Sequence, residues 1–186
     1  MNVYDFDKTI YNGDSTIDFY LYCFKKNPLI SIDLPKQIIF FLLFKFKICS
    51  KTKFKEVFYS FLKRFDNIDS ILETFWDINQ SKIKKFYLCI QENSDVIISA
   101  SPYFLLQPIC NRLDIKTLIA SEVDKTTGKY TGLNCYGEEK VNRLKKVTSE
   151  KIDNFFSDSY SDTPLAKIAN HAFIVKKDTI NPWIFK

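Results

Sequence analysis

Two aspartates flank one phenylalanine near the start of the chain, in the run Val3-Tyr4-Asp5-Phe6-Asp7-Lys8-Thr9. Residues i and i+2 of a strand face one side, about 6.7 Å apart along it. Asp5 and Asp7 can therefore address one site from two positions. Crowded carboxylates repel each other, and a hard divalent cation offsets that repulsion. Mg²⁺ prefers oxygen ligands, commonly one or two carboxylates with water and substrate phosphate. With an ammonium group added, such a site attracts a phosphate dianion. One carboxylate can then attack phosphorus to give an aspartyl-phosphate. The other can protonate the leaving oxygen and later deprotonate water. Alone, an Asp-x-Asp triplet fits equally a strand running into an acidic turn, so the other parts must be found elsewhere in the chain.

Those parts are present, in a fixed order. The short apolar run Val96-Ile97-Ile98 ends in Ser99, followed by Ala100, Ser101 and Pro102. Gly137-Glu138-Glu139-Lys140 opens a segment with helical spacing that is acidic at its start and basic at its end, the order favoured by the helix dipole. The stretch Ile152–Asp162 reads as a strand running into a loop that carries Asp158 and Asp162. If the strands are parallel, their carboxyl ends share one edge, where ligands of open α/β sheets bind.

The elements that must position these residues follow from periodicity. Residues 2–7 read as a short strand. From Ser15 to about Tyr87 apolar residues recur at three and four, with Phe54, Val57, Phe58, Phe61, Leu62 and Phe65 on one stripe, and three or four helices are expected. Strands are expected at 96–99, 115–123, the start of 152–162 and 172–177, and helices at 103–112, 137–147 and 163–170. Residues 124–135, with Gly128 and Gly132, suggest a hairpin. The fold expected is α/β, a Rossmann-like core with a mostly parallel sheet and an α-helical insert between strands one and two. The core would comprise 1–14 and 91–186, and the helical cap 15–90. Gly13, after the first motif, is a candidate hinge.

Composition narrows the class. The chain has 186 residues, 46% of them apolar and 26% charged, enough for a buried core. The net charge of +5 is spread along the chain, and only Arg64, Arg112 and Arg143 are arginines. That pattern argues against nucleic acid as a partner. Five dispersed cysteines and one histidine, His171, give neither a zinc pattern nor a disulfide framework, so a cytoplasmic protein is expected. No run approaches the ~20 apolar residues of a spanning helix.

Taken together, the four stretches resemble the motifs of the haloacid dehalogenase superfamily. "DFDKT", the serine ending "VIIS", the lysine of "GEEK" and the acids of "SDSYSD" occur in that family's order. The wording "ISASP", "GEEKVNRL" and "SDTPL" is similar to the phosphoserine-phosphatase-like branch, which carries a helical cap between motifs one and two. The resemblance implies a Mg²⁺-dependent phosphatase acting on a small phosphorylated substrate. It implies Asp5 as nucleophile and Asp7 as general acid and base, and it places Ser99, Ala100 and Thr9 around the phosphate. Lys140 would stabilise charge on both partners, and Asp5, Asp7, Asp158 and Asp162 would surround the metal. The glycine usual before the first acid of motif four is Ser157 here. "DKT" also resembles the phosphorylation motif of P-type ATPases, with Asp7 as nucleophile, but Ile10-Tyr11 replaces the Gly-Thr that continues it there. Phosphotransfer to another acceptor, a mutase, and a non-catalytic module binding a phosphorylated ligand are the alternatives on the same fold.

The cap is where substrate choice is expected. Thirteen of the 28 Phe and Tyr residues fall between Phe19 and Phe65. Most rings there must form the cap's own core. "IIFFLLF" at 38–44 is too wide for one helical face, so some apolar side chains should remain exposed. An apolar substrate tail, a partner or a peripheral membrane contact would each account for them. Phosphoserine requires recognition of a free carboxylate and ammonium. Arg64 is the cap's sole arginine, so phosphoserine ranks below another phosphomonoester of unspecified identity.

Overall fold

The structure is a computed structural model and describes residues 1–185. Its centre is a six-stranded sheet made of β1 (Val3–Tyr4), β2 (Val96–Pro102), β3 (Thr117–Ser121), β4 (Ile152–Ser157), β5 (Ala169–Lys176) and β6 (Thr179–Pro182). The order is β3-β2-β1-β4-β5-β6. The first five strands are parallel, and β6 returns antiparallel to β5. Both β1 residues are buried, and each pairs on two sides: Val3 with Val96 and Phe155, Tyr4 with Ile97 and Phe156. The chain leaves β1 towards β2 on one side and reaches β4 on the other. That reversal opens a crevice beyond the carboxyl end of β1.

Strand periodicity sorts the core into two apolar layers. Tyr4, Phe6, Ile97 and Phe156 join one cluster, and Val3, Ile98, Phe155 and Ile174 the other. The second cluster is covered by Val141 and Leu144 of helix 138–147 and by Leu165 of the short helix 163–166.

Five α-helices lie between β1 and β2: α1 (Ser15–Lys26), α2 (Leu34–Lys45), α3 (Lys51–Phe58), α4 (Ile68–Asn79) and α5 (Lys85–Ile90). Three of them begin on side-chain caps. Asp14 accepts from Ile17 N at 3.1 Å, Ser50 from Lys53 N at 3.1 Å and Asn67 from Ser70 N at 3.1 Å. Helices α6 (Tyr103–Arg112), α7 (Glu138–Val147) and α8 (Thr163–Ala166) complete the set. The helices of the insert share the first apolar cluster with the sheet. Trp76 of α4 is fully buried, meets Phe6 edge-on, and donates its Nε1 hydrogen to Leu105 O of α6 at 2.7 Å.

Three local expectations change. Residues 124–135 form no hairpin ladder: one antiparallel bridge, Val123 to Tyr130, closes a loop whose turn is organised by Asp124. The Asp124 carboxylate accepts from Thr126 N and Thr127 N, and local side-chain bonds of this kind replace strand pairing. Strand β2 continues past Ser99 to Pro102 across a register irregularity, because proline can end a strand without donating. The chain also adds β6 after a tight turn at Lys177, which takes a φ of 53°. Four residues ending in proline carry too little pattern to announce an edge strand.

Candidate active site

The crevice holds a cavity of about 360 Å³ at the carboxyl ends of β1, β2 and β4, and Asp5, Asp7, Ser99, Ala100, Lys140, Asp158 and Asp162 all line it. Residues more than 150 positions apart thus meet because their strands are parallel neighbours of β1.

Asp5 follows β1 directly, and its amide donates to Phe156 O at 2.9 Å. Phe6, turned to the opposite side, is fully buried and stacks on Tyr11 at 5.6 Å. The chain then wraps into a loop. The amides of Ile10 and Tyr11 donate to Phe6 O, and Lys8 N donates to Gly13 O at 2.9 Å. Gly13 takes a φ of +146°, and a Cβ there would meet Asp18 Oδ2 at 3.0 Å. This wrap presents Asp7 and the start of α1 to the cavity together. Asp7 Oδ1 accepts from Ser15 N at 2.6 Å, and Asp7 Oδ2 accepts from Ser101 Oγ at 2.5 Å.

Lys140 lies in the first turn of α7, a position that the helix dipole disfavours for a cation. Two anions offset this. Its Nζ donates to Asp5 Oδ1 at 2.7 Å and to Asp162 Oδ2 at 2.7 Å, with all three side chains buried. Burial pulls Lys140 down, but the charges and hydrogen bonds of Asp5 and Asp162 outweigh it and hold the group above the usual lysine range. Burial pushes Asp5 up to about 7 against the pull of Lys140, and the Asp162 charge adds to the push. Burial, then the Asp14 charge, raise Asp7 to about 6, opposed by the hydrogen bonds of Ser101 and Ser15. Burial raises Asp158 as well, opposed by Lys8 and Lys176.

Several residues have different positions from those the sequence suggested. Thr9 does not face the phosphate space. It is fully buried, donates to Asp5 Oδ2 at 3.2 Å and accepts from Asp158 N at 2.9 Å, so its hydroxyl ties β1 to the loop after β4. Asp162 precedes α8 but makes no capping bond. Its Oδ2 takes Lys140 and also Ser157 Oγ at 2.8 Å, which identifies it as the anchor of Lys140. The glycine-to-serine departure at 157 supplies one of those two bonds. Ser99 is 1% exposed, and its Oγ accepts from Ser101 N at 3.1 Å, leaving the hydroxyl hydrogen to donate elsewhere.

Other contributors gave no sequence signal. Ser101 belongs to the run Ile98–Pro102, in which the resemblance assigns a role only to Ser99 and Ala100. Helix α3 turns Lys51, Phe54, Lys55 and Phe58 to the cavity, a stripe at i, i+3, i+4 and i+7. Lys55 Nζ donates to Ala100 O at 2.8 Å and to Asn134 Oδ1 at 3.2 Å. Burial, reinforced by the Lys51 charge, lowers Lys55 to about 8. Lys51 Nζ sits 3.5 Å over the Tyr136 ring. The stripe was legible as helical, but not which side of it met β2. Arg64 is paired with Asp33 at 2.7 Å and is not among the residues lining the cavity.

The chemistry of the site suits a hard cation. Asp5 and Asp158 at the ends of β1 and β4 are oxygen donors, and the charge of buried Asp5 and half-buried Asp158 favours a counter-ion. Among the described residues no three carboxylate, imidazole or thiolate groups form a closed cage. Mg²⁺ does not need one, because one or two carboxylates with water and substrate phosphate complete its shell.

A model of the family described as haloacid dehalogenase-like hydrolase matches residues 3–167. Over 96 residues the chain is 26% identical to a histidinol-phosphatase of Neisseria meningitidis serogroup C (strain 8013), covering 45% of this chain and 43% of that protein. The chain therefore spans less than half the length of that relative. A protein of unknown function from Bordetella pertussis Tohama I has a similar fold, with a TM-score of 0.72 at 17% identity over 92% of this chain and 87% of that one. So does a phosphoserine phosphohydrolase-like protein from Francisella tularensis subsp. tularensis SCHU S4, with a TM-score of 0.56 at 16% identity over 92% and 86%. The matched span runs from β1 past α8 and contains Asp5, Asp7, Ser99, Lys140, Asp158 and Asp162, and on that span the chain belongs to the haloacid dehalogenase-like hydrolases.

Proposed function

We propose that the protein is a Mg²⁺-dependent phosphatase that hydrolyses a phosphomonoester through an aspartyl-phosphate on Asp5. The observation that carries this reading is the Asp5 carboxylate itself. It stands at the end of the central strand, held by Lys140 and Thr9, and lines one cavity with Asp7 and Ser99. The phosphatase named among the relatives points the same way.

Asp5 attacks phosphorus as the bond to the leaving oxygen breaks, and Asp7 gives its proton to that oxygen. Asp7, raised to about 6, is poised for this transfer near neutral pH. The Asp7 carboxylate then takes a proton from water, which attacks the same phosphorus, and the departing phosphate restores Asp5. Ser99 donates to a phosphate oxygen, and Lys140 balances the charge on Asp5 and phosphate. Asp5, Asp158 and the Asp7 carbonyl would hold Mg²⁺, which when bound neutralises phosphate charge; Asp162 is assigned to Lys140 instead.

Residues 15–90 act in this reading as the cap over a core of 1–14 and 91–186, with Gly13 as the hinge. Phe54 and Phe58 on its cavity side favour an apolar part next to the phosphate, and Lys55 offers a cation to a polar group of the same substrate. The five unpaired cysteines suit a reducing cytoplasm. Release of phosphate from an aryl phosphate, with Mg²⁺ or EDTA, should require both the metal and Asp5. Activity that survives EDTA and Asp5→Asn would overturn the proposal.

A further inference from the structure

Helix α2 is built inside out. Its one buried residue is polar: Gln37 accepts from Tyr20 Oη at 3.0 Å and donates to Phe58 O at 3.0 Å. Leu34, Phe40, Leu43 and Phe44 are half-buried, and the helix's four other large apolar residues face solvent. Ile38 and Ile39 are each 55% exposed, Leu42 48% and Phe41 43%; Phe46 beyond the helix is 74% exposed, and Ile32 before it 62%. Scattered exposed apolar residues are normal, but six along one helix and its flanks form a contiguous surface that water alone does not favour.

The charge around this surface specifies what covers it. Lys25, Lys26, Lys36, Lys45, Lys47 and Lys53 are exposed along the same stretch. Residues 15–65 carry seven more basic than acidic side chains, whereas the whole chain carries five more, so the rest of the molecule is slightly acidic. Lys45 Nζ sits 5.5 Å over the Phe41 ring of that face, and lysines beside an apolar face match a surface that is anionic outside and apolar just beneath. An anionic lipid bilayer has this composition, and an interfacial helix enters it with lysines at the headgroups and apolar side chains below. Among the described residues no single helix is long and apolar enough to cross a membrane, and α1 is bent by 120° from the segment holding α2. Among the same residues only α1 and the segment 28–45 together, as a bent pair, have the length and apolar content of a span, and Phe19, Tyr20 and Cys23 of α1 are buried in the protein core, so the surface lies on a bilayer rather than through it. It is also continuous with the cavity wall. Phe44 of α2 stacks on Phe54 at 5.5 Å, Phe41 meets the same ring at 5.7 Å, and Phe54 lines the cavity.

We infer that α2 and its flanks form a docking surface for anionic lipid bilayers. The inference rests on this surface alone and does not depend on the catalytic reading. Its test is co-sedimentation of the full chain with phosphatidylcholine vesicles, with and without about one-third phosphatidylglycerol. Binding to the anionic vesicles should exceed binding to phosphatidylcholine alone by about tenfold or more, and should fall as salt rises. Ile38→Ser with Leu42→Ser should reduce it about tenfold while the melting temperature stays unchanged, since both positions are exposed. Lys45→Gln with Lys47→Gln should weaken binding and flatten its salt dependence. Equal binding to both vesicle types would overturn the inference, as would no binding at low salt. A dimer in light scattering that dissociates in the Ile38→Ser, Leu42→Ser variant, without vesicle binding, would assign the surface to a second copy and overturn it too.

Discussion

Lys140 Nζ lies 2.7 Å from Asp162 Oδ2, with the two side chains 2% and 3% exposed. One ammonium is thus shared between Asp162 and Asp5, and the second acid fixes where the first meets its cation. Removing one member of a buried ion pair leaves an uncompensated charge and costs about 3–5 kcal/mol. Asp162→Ala should lose stability of that order in urea unfolding. Asp162→Asn keeps an acceptor for Lys140 and should be milder in unfolding, while lowering kcat about tenfold. Wild-type unfolding of the alanine variant would show that Lys140 does not need this anchor.

Ser101→Ala removes the hydroxyl that donates to Asp7 Oδ2 but leaves the Ser15 amide on Oδ1. The expected loss in kcat is about tenfold, the worth of one charge-assisted hydrogen bond. The sign of the accompanying pH effect follows from the bond. It stabilises the carboxylate, so its loss raises Asp7 above about 6. A general acid works while protonated, and the falling limb of kcat against pH should move to higher pH. An unmoved limb would detach Ser101 from the acid.

Lys55 is held down to about 8 by burial and then by Lys51. It is an ammonium below that pH and an amine above it, so a substrate group bound by its charge is released as pH rises through 8. KM should climb there with kcat little changed. Lys55→Met should raise KM about tenfold at neutral pH and abolish the rise. A KM profile identical to wild type would place the substrate away from α3.

Gly128 has a φ of +73°, and an added Cβ would come within 2.7 Å of the Tyr59 carbonyl carbon. Backbone cannot yield as a flexible side chain does, so Gly128→Ala should cost about 1–3 kcal/mol in thermal or urea unfolding. Tyr59 lines the cavity, and KM should change along with stability. An unperturbed melting curve would show that the 124–130 loop is free to shift away from the insert.

The parallel α/β core was legible because its strands and helices announce themselves locally. Val96–Ser99 is an apolar run too short for a helix, and Glu138–Val147 carries the charge order of a helix. The four motif stretches were visible for the same reason, since Asp5 and Asp158 follow strands, Lys140 sits at a helix start and Ser99 closes the apolar run of β2, all on the side where a sheet of parallel strands brings them together. What escaped notice lacks local pattern. β6 is four residues at an edge, and the Asp124 turn satisfies by side-chain bonds what a hairpin would have satisfied by pairing.

Residue type and order along the chain determined which acids, hydroxyl and ammonium gather at one edge of the sheet, because a parallel sheet leaves its carboxyl ends on a single side. Tertiary structure alone decided how they are shared. The resemblance implies Thr9 as a phosphate contact and Asp162 as a metal ligand, yet the Thr9 hydroxyl bridges Asp5 and Asp158, and Asp162 Oδ2 takes Ser157 and Lys140. Ser101 and Lys55 carried no signal and reach Asp7 and Ala100 across 94 and 45 positions. A hydrogen bond depends on distance and direction between atoms, and neither is written in the spacing of residues on separate elements.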